Sequence, residues 1–256
     1  TVVLGDTLSI KVYQALASAL EMNPKRRVIL SDTGNFPSDL YMAEGLCRTL
    51  GGQYRLKTVA PEEVMSAIDD SVALTMITEV DYRTGRRHDM KRLIEKAHAA
   101  GALVVWDLAH SAGAVEVDLA GCRADFAVGC TYKYLNSGPG GPAFIYIAPR
   151  LAAQVRPALS GWLGHEAPFA FDLDYRPGAG IERIVLALEA QGVAAAPEIA
   201  PAWEEQLAEG GRIVAPVGDM RMQTCTVARK QGGELLVTGD IGCVFVPLRG
   251  RYGQPE

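Results

Sequence analysis

The sequence predicts an α/β fold: a mostly parallel sheet flanked by helices, followed by a short α+β tail. Three observations carry that expectation. Helical and β-rich segments alternate as far as about residue 150. Several β-rich runs are apolar throughout, as strands buried on both faces are. Past residue 182 the alternation stops. With 256 residues, 48% of them hydrophobic and 21% charged, the chain has material for a sizeable core and does not read as disordered.

The opening run Thr1-Val2-Val3-Leu4-Gly5-Asp6 reads as a strand already inside a domain, with the natural beginning expected upstream. Residues 8–20 follow as a helix, since Ile10, Val12, Leu16 and Leu20 recur at near-helical spacing. Residues 27–31 are a short strand. Ser38 is placed to cap a helix through Cys47, with Asp39 favourable in its first turn. A strand over 53–58 precedes a helix begun by Pro61, where proline suits the first turn. Residues 72–77 (Val-Ala-Leu-Thr-Met-Ile) form a continuous apolar strand. A helix over Met90–Ala100 stops at Gly101, and the strand 102–106 follows. Strands over 125–129 and Ala143–Ile147 complete the series. In the tail, residues 200–208 read as a helix and Glu209-Gly210-Gly211 as a turn. Two or three strands are expected, over 212–217, 223–229 and 243–248, and Gln231-Gly232-Gly233 suits a hairpin.

Charge and cysteine usage narrow the function. Lys+Arg 25 against Asp+Glu 30 gives a net −5, which argues against a nucleic-acid scaffold. No apolar run reaches the length of a membrane span and no signal peptide opens the chain, so a cytoplasmic protein without membrane or nucleic-acid partners is expected. The five cysteines (Cys47, Cys122, Cys130, Cys225, Cys243) are scattered, show no metal-site spacing and read as reduced thiols. No metal is expected.

Open parallel sheets bind ligands at the carboxyl ends of their strands, so chemistry is sought just after each strand. After Trp106 come Asp107-Leu108-Ala109-His110; taken alone, Asp107 reads first as a cap for a following helix and only second as a carboxylate facing a ligand. After residue 129 come Cys130-Thr131-Tyr132-Lys133-Tyr134-Leu135-Asn136 and a loop rich in glycine and proline. A lone lysine is ordinarily solvated surface, but Lys133 sits between aromatics, and a desolvated lysine can form an imine with an aldehyde. Pyridoxal phosphate chemistry needs such a lysine, an acid at the ring nitrogen, a group stacked on the ring and donors for the phosphate. Lys133 and Asp107 fit the first two needs. Phe36, otherwise an ordinary core aromatic, fits the third, and Leu8-Ser9 at a helix start fit the fourth.

Four motifs then carry a resemblance: Asn35-Phe-Pro-Ser-Asp-Leu-Tyr41, Asp107-Leu-Ala-His-Ser-Ala-Gly113, Cys130-Thr-Tyr-Lys-Tyr-Leu-Asn136 and Ser160-Gly-Trp-Leu-Gly-His165. Over residues 2–183 the chain resembles the kynureninase family, fold-type I pyridoxal-phosphate enzymes. The resemblance implies that Lys133 forms the imine, that Asp107 pairs with the ring nitrogen and that Phe36 stacks on the ring. It also places Pro37, Ser38, Asp39, Thr78 and His110 in the cofactor site and Leu8, Ser9 and Tyr132 at the phosphate. By the same resemblance Trp162 would reach the phosphate across a homodimer interface, and Tyr132 would return a proton to the substrate. The implied reaction is hydrolysis of L-kynurenine or 3-hydroxykynurenine to an anthranilate and L-alanine, a step of tryptophan catabolism toward NAD.

Residues 192–253 instead resemble the C-terminal end of protein-L-isoaspartate O-methyltransferases, through Ala194-Ala-Ala-Pro-Glu-Ile199, Glu209-Gly-Gly-Arg-Ile-Val-Ala-Pro-Val-Gly218 and Phe245-Val-Pro-Leu-Arg-Gly250. The expected organisation is a pyridoxal-phosphate large domain over 1–183 and a foreign tail over 184–256. Against the kynureninase family, a leading segment and a small C-terminal domain carrying the arginine for the substrate carboxylate are expected to be absent. Weak cofactor binding, slow or no cleavage and self-association are the corresponding expectations. The alternatives are a methyltransferase-related chain, or a non-catalytic remnant of the cofactor fold.

Overall fold

The computed structural model describes residues 2–5, 7–138, 140–186, 199, 205, 207, 209–218 and 223–243. The chain divides into two compact units, Thr1–Ala190 and Gln191–Glu256.

The first unit is built on a seven-stranded sheet. Its strands are β1 (Val2–Leu4), β2 (Val28–Asp32), β3 (Arg55–Val59), β4 (Val72–Thr78), β5 (Leu103–Asp107), β6 (Phe126–Cys130) and β7 (Ala143–Ile147). They lie in the order β1-β7-β6-β5-β4-β2-β3. The strands from β6 to β3 run parallel, whereas β7 pairs antiparallel with both β6 and β1. The chain runs outward from β2 to β3, then returns to β4 and proceeds the other way through β5 to β6. That reversal makes the carboxyl ends of β2 and β4 a topological switch point, where ligands bind in sheets of this kind.

Successive strand residues feed two cores. Ile29, Met76, Val105 and Phe126 pack with Leu16 and Leu20 of α1 (Leu8–Met22) and Leu46 of α2 (Pro37–Thr49). Leu30, Ile77, Val104 and Trp106 pack on the other face with Val64 of α3 (Val64–Ala67) and Leu93 and Ile94 of α4 (Met90–Ala100). Both faces being covered explains why β4 is apolar with no alternation. Helix α4 runs between the limits its sequence gives, with Asp89 accepting from the Arg92 amide and Gly101 closing the end at φ 79°. At the amino end of β6, buried Asp125 accepts from the Val104 amide and from His98 Nε2 (2.8 Å each) and pairs with Arg150 of α5 (Pro149–Ala152). One carboxylate thereby ties β5, α4, β6 and α5 together at the end of the sheet away from the switch point.

Three expectations need correction. Ser38 caps nothing: α2 begins at Pro37 and Phe36 holds the extended cap position, so proline's fixed φ sets the start. The helix expected from Pro61 is a single 3₁₀ turn, Pro61–Glu63, followed by the four residues of α3. The third strand of the tail is β10 (Glu234–Cys243), beginning well before residue 243. Glycines and Asp240 had masked it. Residues 244–248, and most of the helix expected over 200–208, lie outside the described residues.

The second unit holds a three-stranded antiparallel sheet in the order β10-β9-β8, with β8 at Arg212–Gly218 and β9 at Gln223–Gln231. Gln231 pairs with Glu234 around Gly232 and Gly233, both at positive φ (65° and 84°). That is the two-residue turn glycines favour. Glu209 accepts from both glycine amides.

Candidate active site

Four strand ends and the starts of two helices converge at the switch point. After β2, the turn Thr33-Gly34-Asn35 delivers Phe36. Asn35, buried, donates to Ser31 Oγ and to the Met76 carbonyl, and its Oδ1 accepts from the Phe36 amide at 2.7 Å. The ring's place is therefore set by β2 and β4 together. One turn into α2, Asp39 faces inward and is 1% exposed, and neither of its oxygens has a hydrogen-bond partner among the described residues.

At the end of β5, Asp107 is 1% exposed. Its Oδ1 accepts from the Ala109 amide at 2.8 Å, closing a side-chain turn, and Thr78 Oγ1 at the end of β4 reaches Oδ2 at 3.4 Å. No helix follows, so the helix-cap reading of Asp107 does not hold. Burial pushes its pKa up to about 6, against the Ala109 amide, the nearby Lys133 charge and Thr78. Asp39 is also pushed well above the usual carboxylate range, first by burial and then by Asp107, with Lys133 opposing. Two desolvated carboxylates side by side, Asp39 with no donor on either oxygen among the described residues, are poised to receive a cation.

After β6 the chain makes a tight loop. Thr131 Oγ1 contacts Ser137 Oγ at 2.7 Å and donates to the Pro142 carbonyl, and Asn136 takes a left-handed φ of 57°. The loop aims Lys133 inward. Its Nζ lies 2.9 Å from His110 Nε2, 5.4 Å from the Phe36 ring centre and 5.5 Å from that of Tyr132. Burial, then the Lys133 charge, lowers the His110 pKa, so the imidazole is neutral and accepts from the ammonium through Nε2. Tyr132 is held above its ordinary pKa, chiefly by burial. The Cys130 thiol is likewise pushed up by burial, which suits an inert cysteine.

A cavity of about 180 Å³ joins these groups, with Phe36, Asp107, His110, Tyr132 and Lys133 around it and the start of α1 on one side. Thr7 caps α1 without a side-chain bond and no acid stands in the first turn. The amides of Leu8 and Ser9 thus face the cavity with no intrahelical partner, an arrangement that attracts an anion. Ser38 also lines this cavity, while Pro37 is the first residue of α2. Trp162 is not brought here. It packs with Phe169 and Phe171 (ring centres 5.6 and 5.9 Å away) beside a separate cavity of about 220 Å³. The sequence reading missed Thr7 and Ala109, whose contributions are a cap position and a backbone amide. It also missed Tyr82, whose ring lies 5.1 Å from Phe36 and 5.9 Å from His110. An aromatic just past a strand end was the available signal.

The residues suit pyridoxal phosphate on this geometry: an amine, a buried carboxylate, two flanking rings and an open helix start share one cavity. Comparison with known proteins agrees. The family model described as aminotransferase class-V matches residues 5–166, and that of protein-L-isoaspartate(D-aspartate) O-methyltransferase matches residues 189–253. The kynureninase of Deinococcus radiodurans is 51% identical over 185 residues, covering 72% of this chain and 45% of that protein. The Pseudomonas fluorescens kynureninase is 51% identical over 187 residues, covering 71% and 45%. The chain therefore spans about half the length of these curated relatives. Among solved structures, the apo cysteine desulfurase of Thermococcus onnurineus NA1 superposes with a TM-score of 0.61 at 23% identity, covering 73% of this chain and 47% of that one. A C-DES variant with glycine covalently linked to its pyridoxal-phosphate cofactor superposes at 0.62 and 17% identity, covering 75% and 52%.

Proposed function

The chain belongs to the class-V aminotransferase family, fold-type I pyridoxal-phosphate proteins, and from that premise we propose that it carries the cofactor site of a kynureninase-type hydrolase. The proposed reaction takes L-kynurenine, or its 3-hydroxy form, and water to an anthranilate and L-alanine. The Cβ–Cγ bond breaks and the water oxygen ends on the aryl carboxylate. We assign the cofactor domain to residues 1–183 and the tail to 184–256. The cytoplasm is the proposed location and a homodimer the proposed assembly.

The observation that carries this reading is the convergence of Lys133 and Asp107, from the ends of two parallel strands, on one cavity with Phe36 and His110. When bound, the cofactor supplies an aldehyde for an amine and a cationic ring that draws electrons from the substrate's α-carbon. Lys133 is the amine that would hold the aldehyde, and its amine is placed to take the proton from Cα. Asp107 keeps the ring nitrogen protonated, and its desolvation makes it a strong partner for that cation. Phe36 covers one ring face. His110 orients the lysine and Thr78 the carboxylate, Asp39 adds a second carboxylate to the cofactor site, and Pro37 and Ser38 shape the turn beside the ring. Leu8, Ser9 and Tyr132 bind the phosphate, and Trp162 of a second copy completes that end. The raised pKa of Tyr132 leaves its phenol protonated at neutral pH, which suits it to return a proton to Cβ.

The test is to supply the chain with pyridoxal phosphate and L-kynurenine and to follow anthranilate and alanine together. Equal amounts of both, formed slowly and abolished by Lys133→Ala, are expected. A loaded chain that leaves kynurenine intact but releases alanine from L-cysteine would overturn the assignment. Methyl transfer to isoaspartyl peptides is not expected, because the tail lacks the glycine motif that binds the methyl donor in that family.

A further inference from the structure

Between β4 and α4 the chain forms a short hairpin, with Val80 bridged to Arg87 and the Asp81 amide bonded to the Arg86 carbonyl. Connections of this kind are ordinarily among the most mobile parts of a surface. This one is tied down by three buried carboxylates. Glu79, 0% exposed, takes Arg87 at 2.7 Å; Asp32, 0% exposed, takes His88 at 2.7 Å; and Asp81 accepts from the Arg83 and Thr84 amides. Arg83 adds a bond to the Thr33 carbonyl at 2.9 Å. Desolvating three carboxylates is costly unless they are paired, and each of the three holds at least one partner in or beside the hairpin, so its place is closely specified.

What the hairpin holds out is Tyr82. Its side chain stays 41% exposed, outside the cavity lining but against Phe36 and His110, which line it. It meets Phe36 edge-on (5.1 Å, 73°) and lies closer to parallel with His110 (5.9 Å, 31°), while Phe36 and His110 themselves stand 6.3 Å apart. The Arg83 guanidinium backs the Tyr82 ring at 5.5 Å. Three rings so disposed make an aromatic corner beside the reactive amine, and its third ring is fixed in place before any ligand arrives. A flat conjugated group gains most from such a corner, because edge-to-face and offset contacts are open to it. An aliphatic group gains only area, and a preorganised ring loses little entropy on contact.

We propose that Tyr82 is a specificity-determining residue that packs against the aryl group of the substrate, selecting amino acids with an aromatic acyl side chain over aliphatic ones. This rests on the kynureninase-type reading and adds a residue to it. The competing role, a strut for Phe36, predicts a different result.

The experiment uses the full chain loaded with pyridoxal phosphate, in wild-type, Tyr82→Ala and Tyr82→Phe forms. Cofactor affinity is measured by quenching of tryptophan fluorescence. Binding of anthranilate and of L-alanine, one probe for each half of the substrate, is then titrated separately. Tyr82→Ala should bind anthranilate about tenfold more weakly (about 1.4 kcal/mol), with alanine and cofactor affinity unchanged, and Tyr82→Phe should match wild type. Unchanged anthranilate binding in Tyr82→Ala overturns the proposal. Joint weakening of cofactor, alanine and anthranilate also overturns it, in favour of the strut. A loaded wild-type chain that binds alanine but not anthranilate contradicts the kynureninase-type reading itself, and this proposal with it.

Discussion

Replacing Asp107 by Asn should make the cofactor-free protein more stable while harming the site. The carboxylate is fully buried and titrates near pH 6 in the fold, against 3.8 for the free side chain. Its folded pKa is raised, so the stability it contributes is present below about pH 4 and is lost as pH rises through 6. Roughly two pH units at about 1.36 kcal/mol each put the cost of ionising it in the fold on the order of 3 kcal/mol. Asparagine keeps the bond from the Ala109 amide through its carbonyl and presents its NH₂ to Thr78, and it relieves the repulsion on Asp39. Thermal unfolding of the cofactor-free chain across pH 4–8 is the assay. Wild type should lose stability between pH 4 and 6; Asp107→Asn should lose much less and exceed wild type at pH 7.5. The same variant should retain cofactor poorly, since an amide cannot neutralise a ring cation. If Asp107→Asn is less stable than wild type at pH 7.5, the carboxylate is not the strained, cation-seeking group described above.

Two further outcomes test the scaffold. Asp125→Ala strands the Val104 amide, His98 and Arg150 at once, so denaturant unfolding at pH 7 should show a loss of about 3–5 kcal/mol; less than 1 would mean the cluster is solvated. In β6, a methyl on Gly129 would run into the Phe144 ring, so Gly129→Ala should cost roughly 1–3 kcal/mol, and adding Phe144→Leu should recover most of it. Failure of that rescue would assign the loss to backbone rather than to crowding.

The sheet was legible because its strands are short apolar runs punctuated by capped helices, and Met90–Ala100 with Gly101 could be read to the residue. The hairpin of the second unit was announced by Gly232-Gly233. Its third strand was not, because Gly239, Asp240 and Gly242 break the apolar pattern that marks a strand. The short helix after Pro61 escaped for a related reason: propensity says where a helix begins, while packing of Val64 alone decides how far it runs. In the candidate site, Phe36, Asp107, His110 and Lys133 were readable from their place after strands, and they share one cavity. Groups that act through the backbone, such as the Ala109 amide, carry no side-chain signal. Nor could the sequence show that Asp39 and Asp107 share one desolvated space, since 68 residues separate them in the chain.

The central claim is that the cavity at the ends of β2, β4, β5 and β6 holds pyridoxal phosphate on Lys133. Its most direct test is to incubate the chain with the cofactor, reduce with borohydride, digest, and locate the modified lysine by mass spectrometry. The account predicts one modified peptide, the one containing Lys133, with visible absorbance lost on reduction and no such peptide from Lys133→Ala. Stable modification at another lysine, or a loaded chain in which Lys133 is recovered unmodified, would contradict it.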